Sequence, residues 1–312
     1  MSDQIPPRLP RAEPHLADAM HGHWVASVTP LTADGRIDEP CLAAHAASLI
    51  GRGCDGVLLF GTSGEGPSFS AAERLSAIET LLRSGIAPAR ISVGIGMPAI
   101  PDAIALGRAI LALGVAHALA LPPYFFCDVT ADGIADAFSA LVDGVDDARL
   151  RLTLYNIPQV SGIAVPPAAA ATLRERHGVL VSGIKDSSGQ FDSVLAYRHA
   201  APALAILVGS EVDIARNLAA GGTGGICGLS NIAPTAVQAM FAGPAAEQTM
   251  RNIASLITGP FVPALKAIMA AQRANEAWRR VRAPLTEATA QYGADAFAAM
   301  RNLSPDDASQ RS

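Results

Sequence analysis

The amino-acid sequence predicts an α/β fold, a (β/α)8 TIM barrel followed by a C-terminal helical extension. Short apolar, β-branched runs alternate with Ala- and Leu-rich helical segments, the pattern of β/α units around a parallel sheet. The length of 312 residues exceeds the roughly 250 of a single barrel. After Pro234 the strand signals stop. We therefore predict a barrel over residues 21–233 and about three appended helices over residues 234–312.

Eight runs have the composition of buried strands. In chain order they are 24–28, 56–60, 91–95, 118–121, 151–155, 181–184, 205–208 and 224–227. Eight strand and helix repeats close a barrel more naturally than they form an open sheet. Active sites of this fold collect at the carboxyl ends of the strands, so the residues just after each run are the functional candidates.

Helix signals lie between these runs. Ser70 and Glu73 have the S-x-x-E spacing of a capping box, which predicts a helix starting at Ser70. Another helix is expected to start after Asp102. Residues 1–20 are rich in proline and charge and are expected to form a flexible N-terminal arm.

Composition argues against several classes of function. The net charge is −5 and no basic cluster occurs, which argues against nucleic-acid binding. No apolar stretch reaches the roughly 20 residues of a membrane span, and the N-terminus lacks the apolar core of a signal peptide. We expect a cytoplasmic protein without a membrane partner.

The cysteines and histidines give no metal or disulfide signal. The cysteines are scattered without a C-x-x-C pair, so we expect reduced thiols; they are Cys41, Cys54, Cys127 and Cys227. Seven histidines occur without H-E-x-x-H or comparable spacing. We predict no metal site.

Lysine usage is the most informative feature of the chain. Lysine and arginine together number 23, yet only Lys185 and Lys266 are lysines. Lys185 ends the apolar run 179–184, where an amine held in a partly desolvated position has a lowered pKa and attacks ketones to form a Schiff base. Arginine cannot supply that chemistry. The alternative is a structural ion pair of Lys185 with Asp186 or Glu211.

Lys266 has a different setting. It lies in a helical segment, Pro263-Ala-Leu-Lys-Ala-Ile-Met. We interpret it as a surface or packing lysine.

Two further strand ends carry candidate polar groups. Thr62 and Ser63 lie between glycines, so two hydroxyls and backbone N–H groups can converge on a carboxylate; an ordinary glycine-rich turn is the alternative. Tyr155 ends the fifth run, where a phenol can shuttle protons, although a core tyrosine bonded to a carbonyl fits too. Tyr124 and Phe125 follow the fourth run and line the site or an interface, which we favour for Tyr124.

The chain resembles the dihydrodipicolinate synthase and N-acetylneuraminate lyase family of Schiff-base pyruvate aldolases. The resemblance covers roughly residues 21–300 and rests on four motifs in the family's order. They are G-T-S-G-E at 61–65, Y-N-I-P at 155–158, G-I-K-D at 183–186 and G-G-I-C-G at 224–228.

This resemblance implies a division of labour in the site. Lys185 would form the Schiff base with pyruvate or another 2-oxo acid, and Tyr155 would relay protons. Thr62 and Ser63 would hold the carboxylate, with the backbone at Gly209 and Ile226 lining the pocket. The covalent imine is the electron sink, so no cofactor is implied. The partners implied are a 2-oxo acid, an aldehyde and further copies of the chain in a homotetramer, with the residues after the fourth strand near the tight interface.

Departures from the family pattern bear on the substrate. Val160 stands where dihydrodipicolinate synthases have an arginine that binds the second carboxylate, and Phe125 replaces a second tyrosine. Ser187 and Glu211 are candidates for binding one or two hydroxyl groups. The preferred substrate is thus a short hydroxylated 2-oxo acid, such as a 2-keto-3-deoxy sugar acid.

Three alternatives stay open. They are 4-hydroxy-tetrahydrodipicolinate (dihydrodipicolinate) synthase, a sugar-acid dehydratase that uses the same lysine imine, and a barrel without catalytic activity that senses a metabolite. The retained lysine, tyrosine and hydroxyl pair argue against the last, because a sensor needs no nucleophilic amine.

Overall fold

The computed structural model describes residues 18–308. Within that range eight parallel strands form a closed barrel in chain order, with β8 pairing back onto β1. The strands are β1 Gly22–Ala26, β2 Gly56–Leu59, β3 Ile91–Gly94, β4 His117–Ala120, β5 Arg151–Asn156, β6 Val181–Asp186, β7 Ala205–Val208 and β8 Gly224–Cys227. The predicted (β/α)8 barrel is confirmed.

Thirteen α-helices occur in the same part of the chain. They are α1 Glu39–Gly51, α2 Ala71–Arg83, α3 Ile100–Ala112, α4 Ala131–Val145, α5 Pro158–Ser161, α6 Pro167–His177, α7 Phe191–Ala200, α8 Ile214–Ala219, α9 Pro234–Ala242, α10 Glu247–Ser255, α11 Phe261–Gln272, α12 Ala290–Leu303 and α13 Pro305–Ala308. Except for the single-turn α5, the helices up to α9 each follow a strand and surround the barrel.

The strands are apolar because both of their faces are buried, as in parallel sheets covered by helices. One set of side chains fills the barrel interior, and it includes Trp24, Leu58, Leu119, Tyr155, Leu207 and Ile226. The alternate residues, such as Val25 and Val57, pack outward in the larger core that includes residues of the surrounding helices. This alternation decides which side chains can reach the mouth of the barrel.

Element boundaries differ slightly from the sequence prediction. The strands coincide with the eight predicted runs to within two residues at each end. The predicted capping box is present, with Ser70 Oγ accepting from the Glu73 N–H and the Glu73 carboxylate accepting from the Ser70 N–H. Helix α3 begins at Ile100, not after Asp102, because proline at its second position is tolerated in a first turn.

The C-terminal part contains five α-helices of the described residues, more than the three expected. Helix α9 packs against β1, where the Phe241 ring stacks on His23 with centroids 5.2 Å apart. Asp307 binds the first N–H groups of α9, at Thr235 and Ala236. The division into separate units at residue 233 stays a prediction.

Most of the predicted N-terminal arm, residues 1–17, lies outside the described residues. Ala19 and Met20, at its end, are buried with the side chains of the barrel interior. All four cysteines are free. No helix in the described part of the chain combines the length and hydropathy needed to cross a bilayer.

Candidate active site

Lys185 and Tyr155 lie side by side near the carboxyl ends of β6 and β5. They are register partners across the two strands, and only 4% and 3% of their surfaces are exposed. Lys185 Nζ lies 4.4 Å from the centroid of the Tyr155 ring. The ε-amino group is therefore enclosed by the barrel next to an aromatic ring and a phenol.

Thr62 meets Tyr155 from the loop after β2. The two hydroxyl oxygens, Thr62 Oγ1 and Tyr155 Oη, are 3.2 Å apart and share a hydrogen bond. The loop is held in an unusual shape, because Phe60 and Glu65 at its ends both have φ near +57°. Such conformations persist for non-glycine residues where the surroundings impose them, and they cluster at functional sites.

Ser63 stands on the opposite side of this loop, near the end of β8. It is buried, and its Oγ lies 3.1 Å from where a Cβ on Gly228 would be. The Phe261 ring would be only 2.7 Å from that Cβ, so a side chain at position 228 would displace this ring. Phe261 is 39% exposed beside Ser63. No local pattern in the sequence indicated Phe261, because an apolar residue in a helix usually belongs to the core.

Gly209 and Ser187 adjoin the lysine stem. A Cβ on Gly209 would lie 1.9 Å from Ser187 Oγ and 3.2 Å from Lys185 Cε, so a side chain at position 209 would displace Ser187 and crowd the lysine stem. Ser187 is partly buried, and its N–H donates to the Asn156 carbonyl oxygen at 2.8 Å. Both residues are thus part of the wall around Lys185.

Glu211 is buried in the turn after β7. Its Oε1 accepts a hydrogen bond of 2.8 Å from the Leu229 N–H, which joins the loops after β7 and β8. Burial raises the pKa of Glu211, while that hydrogen bond and the positive charge of Lys185 act in the opposite direction. Ile226 is fully buried in β8 among the interior side chains.

Asp186 holds the loop after β6 and does not pair with the lysine. Its carboxylate accepts from Asn156 Nδ2 at 2.7 Å, from Ser188 Oγ at 2.7 Å and from Ser193 Oγ at 2.8 Å. Among the described residues, neither Asp186 nor Glu211 forms an ion pair with Lys185. The ion-pair alternative for Lys185 is therefore wrong.

After β4, one aromatic residue packs against the core and the next two are exposed. Tyr124 is partly buried against the core, and burial raises the pKa of its phenol. Phe125 and Phe126 are 81% and 70% exposed, and their rings meet edge to face with centroids 5.3 Å apart. Phe125 therefore does not line the mouth within one subunit.

Lys266 is fully buried, so a surface position for this residue is excluded. Lys266 Nζ lies 2.5 Å from Glu65 Oε1, and neither side chain has exposed surface. Desolvation lowers the pKa of Lys266, and the charge of Glu65 opposes that shift. The sequence contained a usable signal, because Lys266 is one of two lysines in a chain that otherwise uses arginine.

A cavity of about 280 Å³ opens beside the Thr62–Tyr155 pair. Its walls are mostly hydrocarbon, and they include Leu121, Val160, Val262, Pro284 and Leu285. A second, more open cavity of about 540 Å³ lies at the amino ends of the strands, next to Trp24, Asp55 and His117. In this fold the amino ends serve stability, so the first cavity, which Thr62 and Tyr155 line and Lys185 does not, is the one that adjoins the candidate site.

The family follows from comparison with known proteins. Residues 19–301 match the dihydrodipicolinate synthetase family. The chain belongs to this family. Its members are class I pyruvate aldolases and lyases, and a lysine Schiff base is general among them. The chain is an enzyme of that class.

Several members of the family are similar over most of their length. An uncharacterized DapA-like lyase of Chloroflexus aurantiacus is 36% identical over 255 residues, 78% of this chain and 84% of that protein. A 4-hydroxy-tetrahydrodipicolinate synthase of Anaeromyxobacter sp. is 31% identical over 221 residues, 70% and 72% of the two chains. The dihydrodipicolinate synthase structure from Agrobacterium tumefaciens has a TM-score of 0.86 at 32% identity, covering 91% of this chain and 99% of that one.

The walls of the cavity beside Tyr155 are mostly apolar. Val160 lines the cavity and is 61% exposed. Among the described residues lining the cavity, the charged ones are Glu65, which is bound to Lys266, and Arg74. Arg74 donates to the carbonyl oxygens of Phe69, Gly66 and Gly94. Neither is free to bind a substrate carboxylate.

Proposed function

We propose that this enzyme makes or cleaves a carbon–carbon bond next to pyruvate through a Schiff base on Lys185. The observation that carries the proposal is the buried Lys185 amine, 4.4 Å from the ring of Tyr155, whose hydroxyl is bonded to Thr62. A nucleophilic amine with an adjacent proton carrier is the combination that imine chemistry needs.

The proposed reaction balances without a metal or an organic cofactor. The neutral amine of Lys185 attacks C2 of the 2-oxo acid, and loss of water gives an iminium ion. In the cleavage direction, the electron pair of the C3–C4 bond moves into the iminium to give an enamine, and the C4 hydroxyl loses its proton as the aldehyde leaves. Tyr155 protonates the departing water when the iminium forms, and the resulting phenolate then accepts the proton of the C4 hydroxyl through Thr62. Protonation of the enamine at C3 and hydrolysis then release pyruvate and the lysine.

Ser63 and backbone N–H groups are proposed to hold the carboxylate of the 2-oxo acid. Ser63 Oγ is buried close to Gly228 at the end of β8, whereas the Gly209 N–H is not such a donor, because it donates to the Asp186 carbonyl oxygen at 2.7 Å. Hydrogen bonds between a carboxylate and such neutral donors are charge-assisted and therefore strong.

The proposed substrate is a short hydroxylated 2-oxo acid, such as a 2-keto-3-deoxy sugar acid. The cavity of about 280 Å³ adjoins Thr62 and Tyr155, but Lys185, Ser187 and Glu211 are not in its lining, so the proposed chain length rests on the residues available for binding and not on this volume. Ser187 and the second carboxylate oxygen of Glu211 are the proposed partners of substrate hydroxyl groups. Val160 provides no charge for a second carboxylate.

The second candidate is 4-hydroxy-tetrahydrodipicolinate synthase. It is favoured by one observation, the 31% identical relative of that name. It requires a cation for the carboxylate of aspartate semialdehyde, and the cavity described above has no free one among its described residues. Turnover of pyruvate with aspartate semialdehyde would establish this candidate instead.

Assembly and location complete the proposal. We place the enzyme in the cytoplasm as a homotetramer, with the exposed Phe125–Phe126 pair at the tight interface between subunits. Two aromatic rings so exposed are typical of a surface that is covered in an assembly.

The test uses pyruvate alone and needs no knowledge of the aldehyde. Borohydride reduction with pyruvate should add one covalent adduct at Lys185, located by peptide mass mapping. In D2O the enzyme should exchange the methyl protons of pyruvate, because the enamine forms reversibly. Lys185→Ala should show neither. Absence of both signals in folded wild-type protein would overturn the proposal. If both signals are seen, a screen of 2-oxo acids for pyruvate release would identify the substrate.

A further inference from the structure

The Glu65–Lys266 ion pair is not among the residues assigned to the chemistry. Glu65 nevertheless lies in the same loop as Thr62, after β2. Both side chains are fully buried, and Lys266 Nζ is 2.5 Å from Glu65 Oε1. Lys266 comes from α11, about 200 positions further along the chain. The pair therefore joins the barrel mouth to the C-terminal extension.

Both carboxylate oxygens of Glu65 are engaged. Oε1 accepts from Lys266, and Oε2 accepts from the Arg282 N–H at 2.9 Å. Lys266 also donates to the Arg280 carbonyl oxygen at 2.6 Å. Glu65 is thus bonded both to helix α11, through Lys266, and to the segment that follows this helix, through Arg282.

A backbone hydrogen bond connects Glu65 to Thr62. The Glu65 N–H donates to the Thr62 carbonyl oxygen at 3.1 Å, and Glu65 itself has φ of 56°, a conformation unfavourable for a residue with a side chain. The ion pair supplies contacts that hold this conformation. Thr62 Oγ1 then lies 3.2 Å from the Tyr155 hydroxyl.

General energetics argue that this pair is not retained for stability. A buried ion pair often contributes no more than well-packed apolar residues of the same volume, because desolvation offsets the attraction. What it adds is geometric specificity, since each charge is tolerated only where its partner stands. An apolar chain of similar size would fill the space without fixing Glu65.

We propose that Glu65 and Lys266 are positioning residues that set the Thr62–Tyr155 hydrogen bond. Neither is assigned a bond to substrate, because both carboxylate oxygens of Glu65 are already engaged. The inference rests on the proposed function in so far as that hydrogen bond carries a proton during enamine formation.

The experiment measures pyruvate methyl exchange in D2O for Glu65→Gln and for the double variant Glu65→Gln/Lys266→Met, which buries no charge. A small displacement of an acting group can cost about 10²-fold in rate, so we expect the exchange rate to fall by about that factor in both. The pyruvate concentration for half-maximal exchange should stay within about threefold of the wild type, because Ser63 and Lys185 are untouched.

Asp307→Asn is the matched control. Asp307 also forms a buried ion pair, with Arg52 at 2.6 Å, and its other hydrogen bonds go to Thr235, Ala236 and Ser304. It should lower stability without lowering the exchange rate. If it lowers the rate as much as Glu65→Gln does, loss of any ion pair is sufficient and the proposal is overturned.

A double-mutant cycle with Thr62→Val tests whether the ion pair acts through Thr62. If the pair acts through Thr62, Glu65→Gln should change the exchange rate less than about twofold in a Thr62→Val background. Equal effects in both backgrounds would overturn the proposal, as would a folded double variant with the wild-type rate.

An independent readout separates this inference from the proposed function. Fluorotyrosine NMR of the protein, with the Tyr155 signal assigned through Tyr155→Phe, should show a shifted Tyr155 resonance in Glu65→Gln and not in Asp307→Asn. An unshifted resonance would overturn the inference even if exchange fell.

If the wild type neither traps nor exchanges pyruvate, the proposed function fails while the NMR result still decides the role of the pair. Should the double variant not fold, Glu65→Gln alone decides by both readouts.

Discussion

Lys185 is the direct neighbour of Tyr155 because β6 contains one extra residue, Ser182. The pairing of β5 with β6 runs from Leu152 and Val181 to Thr153 and Gly183, so Ser182 is skipped. Without this irregularity Ile184 would stand beside Tyr155. Ser182 is secured by a hydrogen bond of 3.2 Å from its Oγ to the Leu152 carbonyl oxygen. One inserted residue thus determines that the amine and the phenol share a wall of the barrel.

Replacing the phenol should separate imine formation from proton transfer. In Tyr155→Phe the borohydride-trapped pyruvate adduct should still form at Lys185, since the amine is retained. Methyl exchange should fall by about 10²- to 10⁴-fold, the usual contribution of a positioned proton carrier. Tyr292→Phe is the control, because its hydroxyl donates to the Leu256 carbonyl oxygen in the C-terminal helices. Wild-type exchange in Tyr155→Phe would remove Tyr155 from the mechanism.

The exposed aromatic pair should control assembly. Phe125→Asp places a charge in the proposed tight interface, and we expect the tetramer to dissociate into smaller species because an unpaired charge there must be desolvated. Sedimentation velocity at several protein concentrations measures the outcome. Val179→Asp, at a position 48% exposed on another surface, should leave the assembly unchanged. A Phe125→Asp tetramer as stable as the wild type would place the interface elsewhere.

The Asp307 carboxylate should stabilise the C-terminal helices. Asp307→Ala leaves Arg52 and the N–H groups of Thr235 and Ala236 without their acceptor. Because Arg52 is 27% exposed, the main loss comes from the unpaired N–H groups, and each buried donor left without a partner costs about 1–3 kcal/mol in the free energy of unfolding. Urea unfolding monitored by circular dichroism measures the change. A loss below about 1 kcal/mol, the value for an exposed pair, would contradict the assignment.

Acid sensitivity should arise from buried neutral histidines. Burial and the nearby charge of Arg273 lower the pKa of His45 to about 3, and Arg273 donates to His45 Nδ1 at 2.9 Å. The pKa of His45 in the unfolded chain is about 6.5, so below that pH the unfolded chain binds a proton at His45 that the folded protein does not bind. Stability is therefore complete above pH 6.5 and falls as the pH decreases toward 3.

The expected loss from His45 is about 1.4 kcal/mol per pH unit in the free energy of unfolding. Urea titrations at pH 7, 6 and 5 measure the slope, which should become shallower in His45→Gln. His199→Gln, at an exposed position on α7, is the control and should keep the wild-type slope. An unchanged slope in His45→Gln would show that other groups account for the acid sensitivity.

Local patterns in the sequence were sufficient for the barrel. All eight strands were predicted, because a strand buried on both faces needs a continuous apolar run regardless of its partners. The Ser70–Glu73 capping box was predicted because it involves residues three positions apart. The C-terminal helices were undercounted, since chain breaks between short helices lack a strong local signature.

The site was predicted in its residues but not in its contacts. Lys185, Tyr155 and Thr62 were candidates from residue type and position, and the structure brings them together. Phe125 is exposed and does not line the cavity beside Thr62, and Asp186 accepts a hydrogen bond from Asn156. The burial of Lys266 against Glu65 escaped the sequence analysis, because an ion pair between positions about 200 residues apart has no local pattern.

The sequence by itself determined the order of strands and helices and the kinds of chemical group at the strand ends. Only the tertiary structure decided which of those groups meet. Periodicity is a property of neighbouring residues, whereas the register of β5 with β6 and the closure of α11 over the loop at 61–66 depend on packing between distant segments. For that reason the nucleophile could be named from the sequence, and the residues that hold its surroundings in place could not.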